Sequence, residues 1–307
     1  MSMHDLLRKW TPIELAIIVL SGLKDGDTAI GKNKCIRKRI APILEKYKNC
    51  ELYSNEVSTN QMRVWMLWWQ GENKMPPMID MCYRSILKCF EGQAEVILLN
   101  ESNINKYVTL PNYIEEKRKK GIITLTHYSD IVRFHLMNKY GGLWIDATYY
   151  AAKKAPKEII ESRLYTIRIP HPNVKHNNDY IWYDWAGNFM KLPAGSALGK
   201  FMEESFLYYW ENNDILIEYY FIDHLLKIAY DSIPGVREEI ELCGYNNVST
   251  HKLLPLLNKT VDVEAYDRVV DDTVFFKLTT KSNYNKLTEL GQETLFARLL
   301  VQHCINN

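Results

Sequence analysis

Residues 129–148 constrain this chain more than any other segment. Ser129-Asp130-Ile131-Val132-Arg133 is followed by Tyr140-Gly141-Gly142-Leu143-Trp144-Ile145-Asp146-Ala147-Thr148. The order predicts a capped helix, a glycine turn and a short buried strand that ends in a carboxylate. Ser129 carries the hydroxyl that an N-cap uses to accept a bond from a free first-turn amide. Asp130 then falls in that first turn, where the helix dipole favours a negative charge. Asp130 and Arg133 are three residues apart and share a face. Ile131, Phe134 and Met137 form a second, apolar face at helical spacing. Gly141-Gly142 ends the helix, because glycine accepts a left-handed cap at low cost. Leu143-Trp144-Ile145 is an apolar run of the kind found in buried strands. Asp146 follows at the carboxyl end, where open α/β sheets bind ligands. Taken singly, these features read as a surface ion pair, a helix stop and a turn cap. In this order they bring a cation and two anions together beside a glycine turn, which suits a phosphorylated, hydroxyl-rich ligand.

The surrounding chain alternates in period. Strands are expected over 62–69, 94–99, 163–169, 187–192 and 274–278, and helices over 76–90, 111–120, 198–212, 215–230 and 289–304. Helices alternating with short strands imply an α/β fold built on a mainly parallel sheet. No repeat, low-complexity tract or clear linker interrupts it.

The 129–148 block resembles the bacterial capsular polysaccharide synthesis protein family. It is more distantly similar to retaining sugar transferases with a DXD motif, including the glucosylating domains of large clostridial toxins. Four flanking segments extend the likeness from about residue 62 to about residue 281. They are Trp65-Met66-Leu67-Trp68-Trp69-Gln70-Gly71 followed by Met75-Pro76-Pro77, Tyr107-Val108-Thr109-Leu110-Pro111-Asn112-Tyr113-Ile114, Tyr219-Tyr220-Phe221-Ile222-Asp223 and Phe276-Lys277-Leu278-Thr279.

The resemblance implies a GT-A-like nucleotide-sugar-binding fold and transfer of a sugar from a nucleotide donor, UDP in the relatives, to a capsular or surface polysaccharide. Under that reading Trp68, Trp69 and Gln70 contact the nucleobase. Alternation puts Trp68 and Trp69 on opposite faces, so at most one stacks on it. Asp130, Arg133, the Gly141-Gly142 turn, Asp146 and Lys277 belong to the donor site, Arg133 and Lys277 as candidate cations for the diphosphate. Asp146 binds ribose, sugar hydroxyls or a metal. Asp146 and Asp223 are the candidate catalytic carboxylates. The DXD pattern reads Asp146-Ala147-Thr148 here, with a hydroxyl where the relatives place a second metal-binding carboxylate. A divalent cation, Mn²⁺ or Mg²⁺, would therefore rest on Asp146, Thr148 and donor phosphate oxygens. A non-catalytic nucleotide-sugar or glycan-binding protein is the alternative that Thr148 keeps open.

Composition narrows the field. The formal net charge of 307 residues is +1, which gives no general case for nucleic-acid binding. None of the six cysteines forms a CxxC pair, so neither a zinc knuckle nor a thioredoxin-like motif is expected. No Walker loop, GxGxxG or GxSxG occurs. His127, His171 and His176 read as ordinary loop histidines. The first ten residues are polar, and the apolar run 13–20 is too short to span a bilayer, so a cytoplasmic location is expected, at the inner face of the membrane if the acceptor is lipid-linked. Residues 1–60 read as a helical extension before a main domain at 61–307. Within the extension, 35–47 is a basic amphipathic helix, with Ile36, Ile40, Ile43, Leu44 and Tyr47 on one face. It either packs on the main domain or lies on an anionic membrane.

Overall fold

A computed structural model of the chain describes residues 3–50, 62–171 and 184–303. The expected boundary between extension and main domain, at 60–61, lies outside them. Helices α1 (Met3–Lys9), α2 (Pro12–Asp25), α3 (Thr28–Arg39) and α4 (Ala41–Tyr47) come first. Then follow β1 (Arg63–Leu67), α5 (Pro77–Cys89), β2 (Glu95–Leu99), α6 (Asn112–Lys119), α7 (Leu125–Tyr140), β3 (Gly142–Ile145), β4 (Tyr149–Ala151) and α8 (Lys157–Glu161). The last part comprises β5 (Tyr165–Thr166), β6 (Phe189–Leu192), α9 (Ala197–Asn212), α10 (Phe221–Ser232), α11 (Pro234–Leu242), α12 (Val263–Val270), β7 (Phe275–Lys277) and α13 (Leu295–His303).

The central sheet has the order β2-β1-β3-β6-β5. β2, β1 and β3 are parallel, β6 is antiparallel to β3, and β5 is antiparallel to β6. Only β6 runs against the rest, so the sheet is mainly parallel, as the α/β pattern predicts. β4 and β7 form a separate antiparallel ribbon.

Strand alternation explains why β1 and β3 read as unbroken apolar runs. Val64 and Met66 of β1, with Leu143 and Ile145 of β3, face a core shared with α5, α13 and the β4–β7 ribbon. Trp65 and Trp144 point the other way, into a core shared with α7, α9 and α10. Both faces are covered, so both sets of side chains must be apolar. The chain leaves β1 toward β2 on one side and reaches β6 on the other. The carboxyl ends of β1 and β3 therefore flank the switch point at which open α/β sheets form their ligand crevice.

Several boundaries move for local reasons. α7 begins four residues before Ser129, because Thr124 takes the cap: its backbone is extended and its hydroxyl accepts from the His127 amide at 3.3 Å. Ser129 lies within the helix and donates to the Thr126 carbonyl at 2.6 Å. Asp130 is consequently not a first-turn residue. The expected basic helix at 35–47 is two helices that meet at Ile40, since Pro42 has no N–H to continue the first. The last helix starts at Leu295 rather than 289, after Gly291 at φ 74°. The strand expected at 163–169 shrinks to Tyr165–Thr166, and the helix expected from 215 starts at Phe221. His127 is no loop residue: it is buried in α7 between Phe206, Trp210 and Phe221. His176 lies outside the described residues.

The amino-terminal helices share the core of the α7 side. Ile36, Ile40, Ile43, Leu44 and Tyr47 are all buried there with Phe201, Tyr209 and Trp210 of α9. The Asn33 amide donates to the His224 carbonyl of α10 at 3.0 Å. The apolar stripe of α3 and α4 is thus spent on the protein's own core and is not free to enter a membrane.

Candidate functional site

Asp146 leaves the tip of β3 on the Trp144 side of the sheet, since residues two apart on a strand share a face. The Trp144 indole donates to Asp146 Oδ1 at 2.9 Å. Arg133, on the face of α7 that packs on the sheet, reaches the same oxygen with Nη2 at 2.9 Å. That nitrogen also lies 3.1 Å from Asp130 Oδ1, while Nη1 donates to the Gly187 carbonyl. The guanidinium sits 5.0 Å from the centre of the Trp144 ring, within cation–π range. The helix spacing of Asp130 and Arg133 and the strand tip therefore meet as the sequence predicts.

Lys277 completes the arrangement from the far end of the chain. β7 pairs with β4 so that Lys277 lies opposite Tyr149. Its Nζ is 2.9 Å from Asp146 Oδ2. Burial works against the Asp146 charge, yet Lys277 and Arg133, with the Trp144 N–H, hold its carboxyl below the usual carboxylate range. The Asp146 and Lys277 side chains keep 29% and 21% of their surface exposed, whereas Arg133 keeps 4%. The charged cluster has a buried floor and an accessible mouth.

Asp223, in the first turn of α10, accepts from the Trp185 indole at 3.3 Å. Burial and then the Asp130 charge push its carboxyl up to about 7. The same two carboxylates thus sit in opposite electrostatic settings: Asp146 is held ionised by cations, and Asp223 is held near neutrality by desolvation and a like charge. His127 Nδ1 lies 3.5 Å from Asp130 Oδ2 behind the cluster.

The tryptophans divide as alternation requires. Trp68 packs with the α5 side, and its indole donates to the Lys74 carbonyl at 3.4 Å. Trp69 packs with the α7 side, its ring 5.8 Å from that of Tyr128 and 4.8 Å from the Arg118 guanidinium. Trp69 therefore shares the face of Asp146 and Arg133, and Trp68 does not. Gln70 is exposed beyond them.

Two expectations fare differently. Gly141 and Gly142 stand at the start of β3, and Asp146 at its end, roughly 13 Å away at the usual strand rise. The glycines work as a turn. Gly141 has φ 67° and its carbonyl accepts from the Trp65 indole at 2.9 Å. A Cβ on Gly142 would lie 2.5 Å from the Arg63 carbonyl oxygen. They set the α7–β3 angle at the end of the strand opposite Asp146. The divalent-cation expectation also meets the donor set. Asp146 is the only carboxylate of its motif, both its oxygens already accept from cationic groups, and Thr148 supplies only a hydroxyl. Among the described residues no cluster of three or more His, Cys, Asp or Glu side chains is placed to hold a metal. A dication at Asp146 would face an ammonium and a guanidinium already at hydrogen-bond distance from that carboxylate, so these residues do not fit it.

Sequence reasoning missed Trp144 as a partner of Asp146, although their two-residue spacing on one strand carried the signal. It also missed Trp185 beside Asp223, for which no local signal exists.

Together these features define an α/β protein with a cation-clasped carboxylate at the carboxyl end of its parallel strands. The capsular polysaccharide synthesis protein family matches residues 27–299, and the chain belongs to that family. Two solved structures are similar to it. "PaToxG Glycosyltransferase" is 15% identical, with 82% of this chain and 89% of that chain covered and a TM-score of 0.34. "Crystal structure of a glycosyltransferase involved in the glycosylation of the major capsid of PBCV-1" is 9% identical, with 80% and 100% covered and a TM-score of 0.27. No curated protein matches the sequence.

Proposed function

We propose that this chain is a GT-A-like glycosyltransferase, with residues 61–307 as its catalytic domain, that moves a hexose from a UDP donor to a growing capsular or surface polysaccharide with retention of configuration. One observation carries the reading: Asp146 at the β3 tip, with Arg133 and Lys277 on its two oxygens. In the donor complex these cations face the diphosphate. Preorganised charge is worth most where negative charge develops during reaction. Asp130 and Asp146 accept bonds from ribose or sugar hydroxyls and fix the donor's orientation. Asp223, whose carboxyl is pushed up to about 7, accepts from a sugar hydroxyl and in its protonated form also donates to one. Trp69 is the stacking surface for uracil.

The bond between the anomeric carbon and the diphosphate oxygen breaks, and the acceptor oxygen bonds to that carbon on the same face. The departing phosphate oxygen takes the acceptor's proton. No protein base is required, and no metal takes part in any step. Family membership supports a glycan acceptor on the cytoplasmic side, lipid-linked during assembly. Among the described residues, no helix is long and apolar enough to cross a membrane.

A panel of UDP-sugars incubated with a surface-glycan acceptor tests the reading. Sugar transfer that disappears in Asp146→Ala, with circular dichroism unchanged, supports it. Donor binding without turnover in the presence of acceptor would instead make the chain a nucleotide-sugar-binding protein.

A further inference from the structure

The molecule keeps one apolar helix face uncovered. On α2, Ile13, Val19, Leu20 and Leu23 are 75%, 58%, 63% and 80% exposed, and Leu7 of α1 is 51% exposed. Ile13, Ala16, Leu20 and Leu23 recur at three- and four-residue spacing and form a single stripe, with Val19 at its edge. The opposite side of α2 is fully used. Glu14 pairs with Arg39 at 2.6 Å, and Gly31 of α3 lies so close to Ile17, Ile18 and Ser21 that a Cβ there would collide with backbone. The stripe is therefore no by-product of a loosely packed helix.

Its surroundings are basic. α3 lies against α2, and the α3 residues that meet neither α2 nor the core are dominated by Lys34, Arg37 and Lys38, all exposed. Arg8 and Lys24 are exposed near the two ends of α2. None of these five forms an ion pair among the described residues. The exposed acids of this region are Asp5 and Asp25.

We infer that the α2–α3 hairpin docks the protein peripherally on an anionic lipid surface. The aliphatic stripe enters the headgroup–acyl boundary and the α3 cations contact lipid phosphates. A second copy of the chain is a poorer occupant. A two-fold interface would set this face against itself and bring its cations together. The stripe is also a ridge without hydrogen-bonding side chains, which a fluid bilayer accommodates without a complementary groove. The position suits a lipid-linked acceptor. α3 holds α10 through Asn33 and His224, and the neighbouring residue, Asp223, belongs to the candidate site. The docking face is thus one helix layer from the chemistry. The docking itself does not depend on the transfer reaction; only its use for acceptor delivery rests on the proposed function.

Co-sedimentation of the full chain with vesicles of phosphatidylcholine alone, or mixed with phosphatidylglycerol, tests this. The chain is expected to bind the mixed vesicles, to bind phosphatidylcholine far more weakly, and to dissociate with added salt. Charge reversal at Lys34, Arg37 and Lys38 is expected to weaken binding on the order of a hundredfold, at roughly 1 kcal/mol per basic residue near such a surface. Leu20→Glu with Leu23→Glu should abolish binding, while transfer to a soluble acceptor is unchanged. Asp146→Ala should bind vesicles like the wild type, which separates this inference from the site assignment. Equal binding to both vesicle types, or retained binding in the Leu20/Leu23 variant, overturns it. So does a wild-type dimer in sedimentation that the Leu20/Leu23 variant dissociates, since a second copy would then own the face.

Discussion

Lys277 Nζ lies 2.9 Å from Asp146 Oδ2, although 131 residues separate them in the chain. The pair joins the central sheet to the β4–β7 ribbon and places an ammonium where the carboxylate would otherwise face solvent or a metal. If this ammonium carries charge that a dication carries elsewhere, turnover should be unaffected by chelator and should collapse in Lys277→Ala. Removing one such preorganised group typically costs about 10²–10³ in kcat. Assays with EDTA and with added Mn²⁺, on wild type and Lys277→Ala, check this. Strict Mn²⁺ dependence of the wild type would defeat it.

Asp223 should give the folded state a distinctive pH response. Its ordinary pKa is about 3.9, and in the fold it is about 7. Between those values the native carboxyl keeps its proton while the unfolded one loses it, so this group's contribution to stability falls as pH rises from about 4 to about 7 and is flat outside that window. Thermal melts of the wild type and Asp223→Asn across that range should differ in slope. Parallel curves would mean that Asp223 titrates normally.

Trp69 and Trp68 should separate in UDP binding. Trp69 shares the Asp146 face and Trp68 packs on the other side of the sheet. Base–aromatic stacking is worth about 1–3 kcal/mol, so Trp69→Ala should weaken UDP affinity roughly 5- to 150-fold, as read by calorimetry. Trp68→Ala should lower the melting temperature and leave that affinity close to wild type. The reverse pattern would move the base pocket to the α5 side.

Gly142→Ala should act on stability alone. Gly142 has φ 102°, and the added methyl would meet the Arg63 carbonyl at 2.5 Å. A non-glycine residue in such a conformation costs on the order of 1–3 kcal/mol before any clash is counted. A lower denaturation midpoint with normal UDP affinity in the remaining folded protein is the expected outcome. Weakened UDP affinity in fully folded protein would restore the glycines to the ligand site.

Much of the scaffold was legible in the residues because its signals are short. β1, α5, β2, α7, β3 and α9 follow from apolar periodicity, and each is sustained by neighbours within one turn or one strand. Asp130 and Arg133 share a face for the same reason, and Asp146 ends β3 because the apolar run ends there. The misplacements share a cause as well. Ser129 and Thr124 are both competent caps, and only the packed position of α7 selects between them. The 35–47 helix has a continuous apolar stripe, but Pro42 breaks its hydrogen-bond ladder.

The sequence by itself determined the sheet class, the helix–turn–strand unit and the meeting of Asp130, Arg133 and Asp146, because backbone geometry repeats over fewer than twenty residues. Only the tertiary structure decided which tryptophan faces the carboxylates, that Lys277 and not a second acid completes Asp146, that Asp223 sits beside Asp130, and that α2 rather than α3 and α4 leaves its apolar side bare. Those outcomes depend on contacts between segments far apart in the chain, or on which of two similar amphipathic faces the core had room to cover, and no local pattern of side chains encodes either.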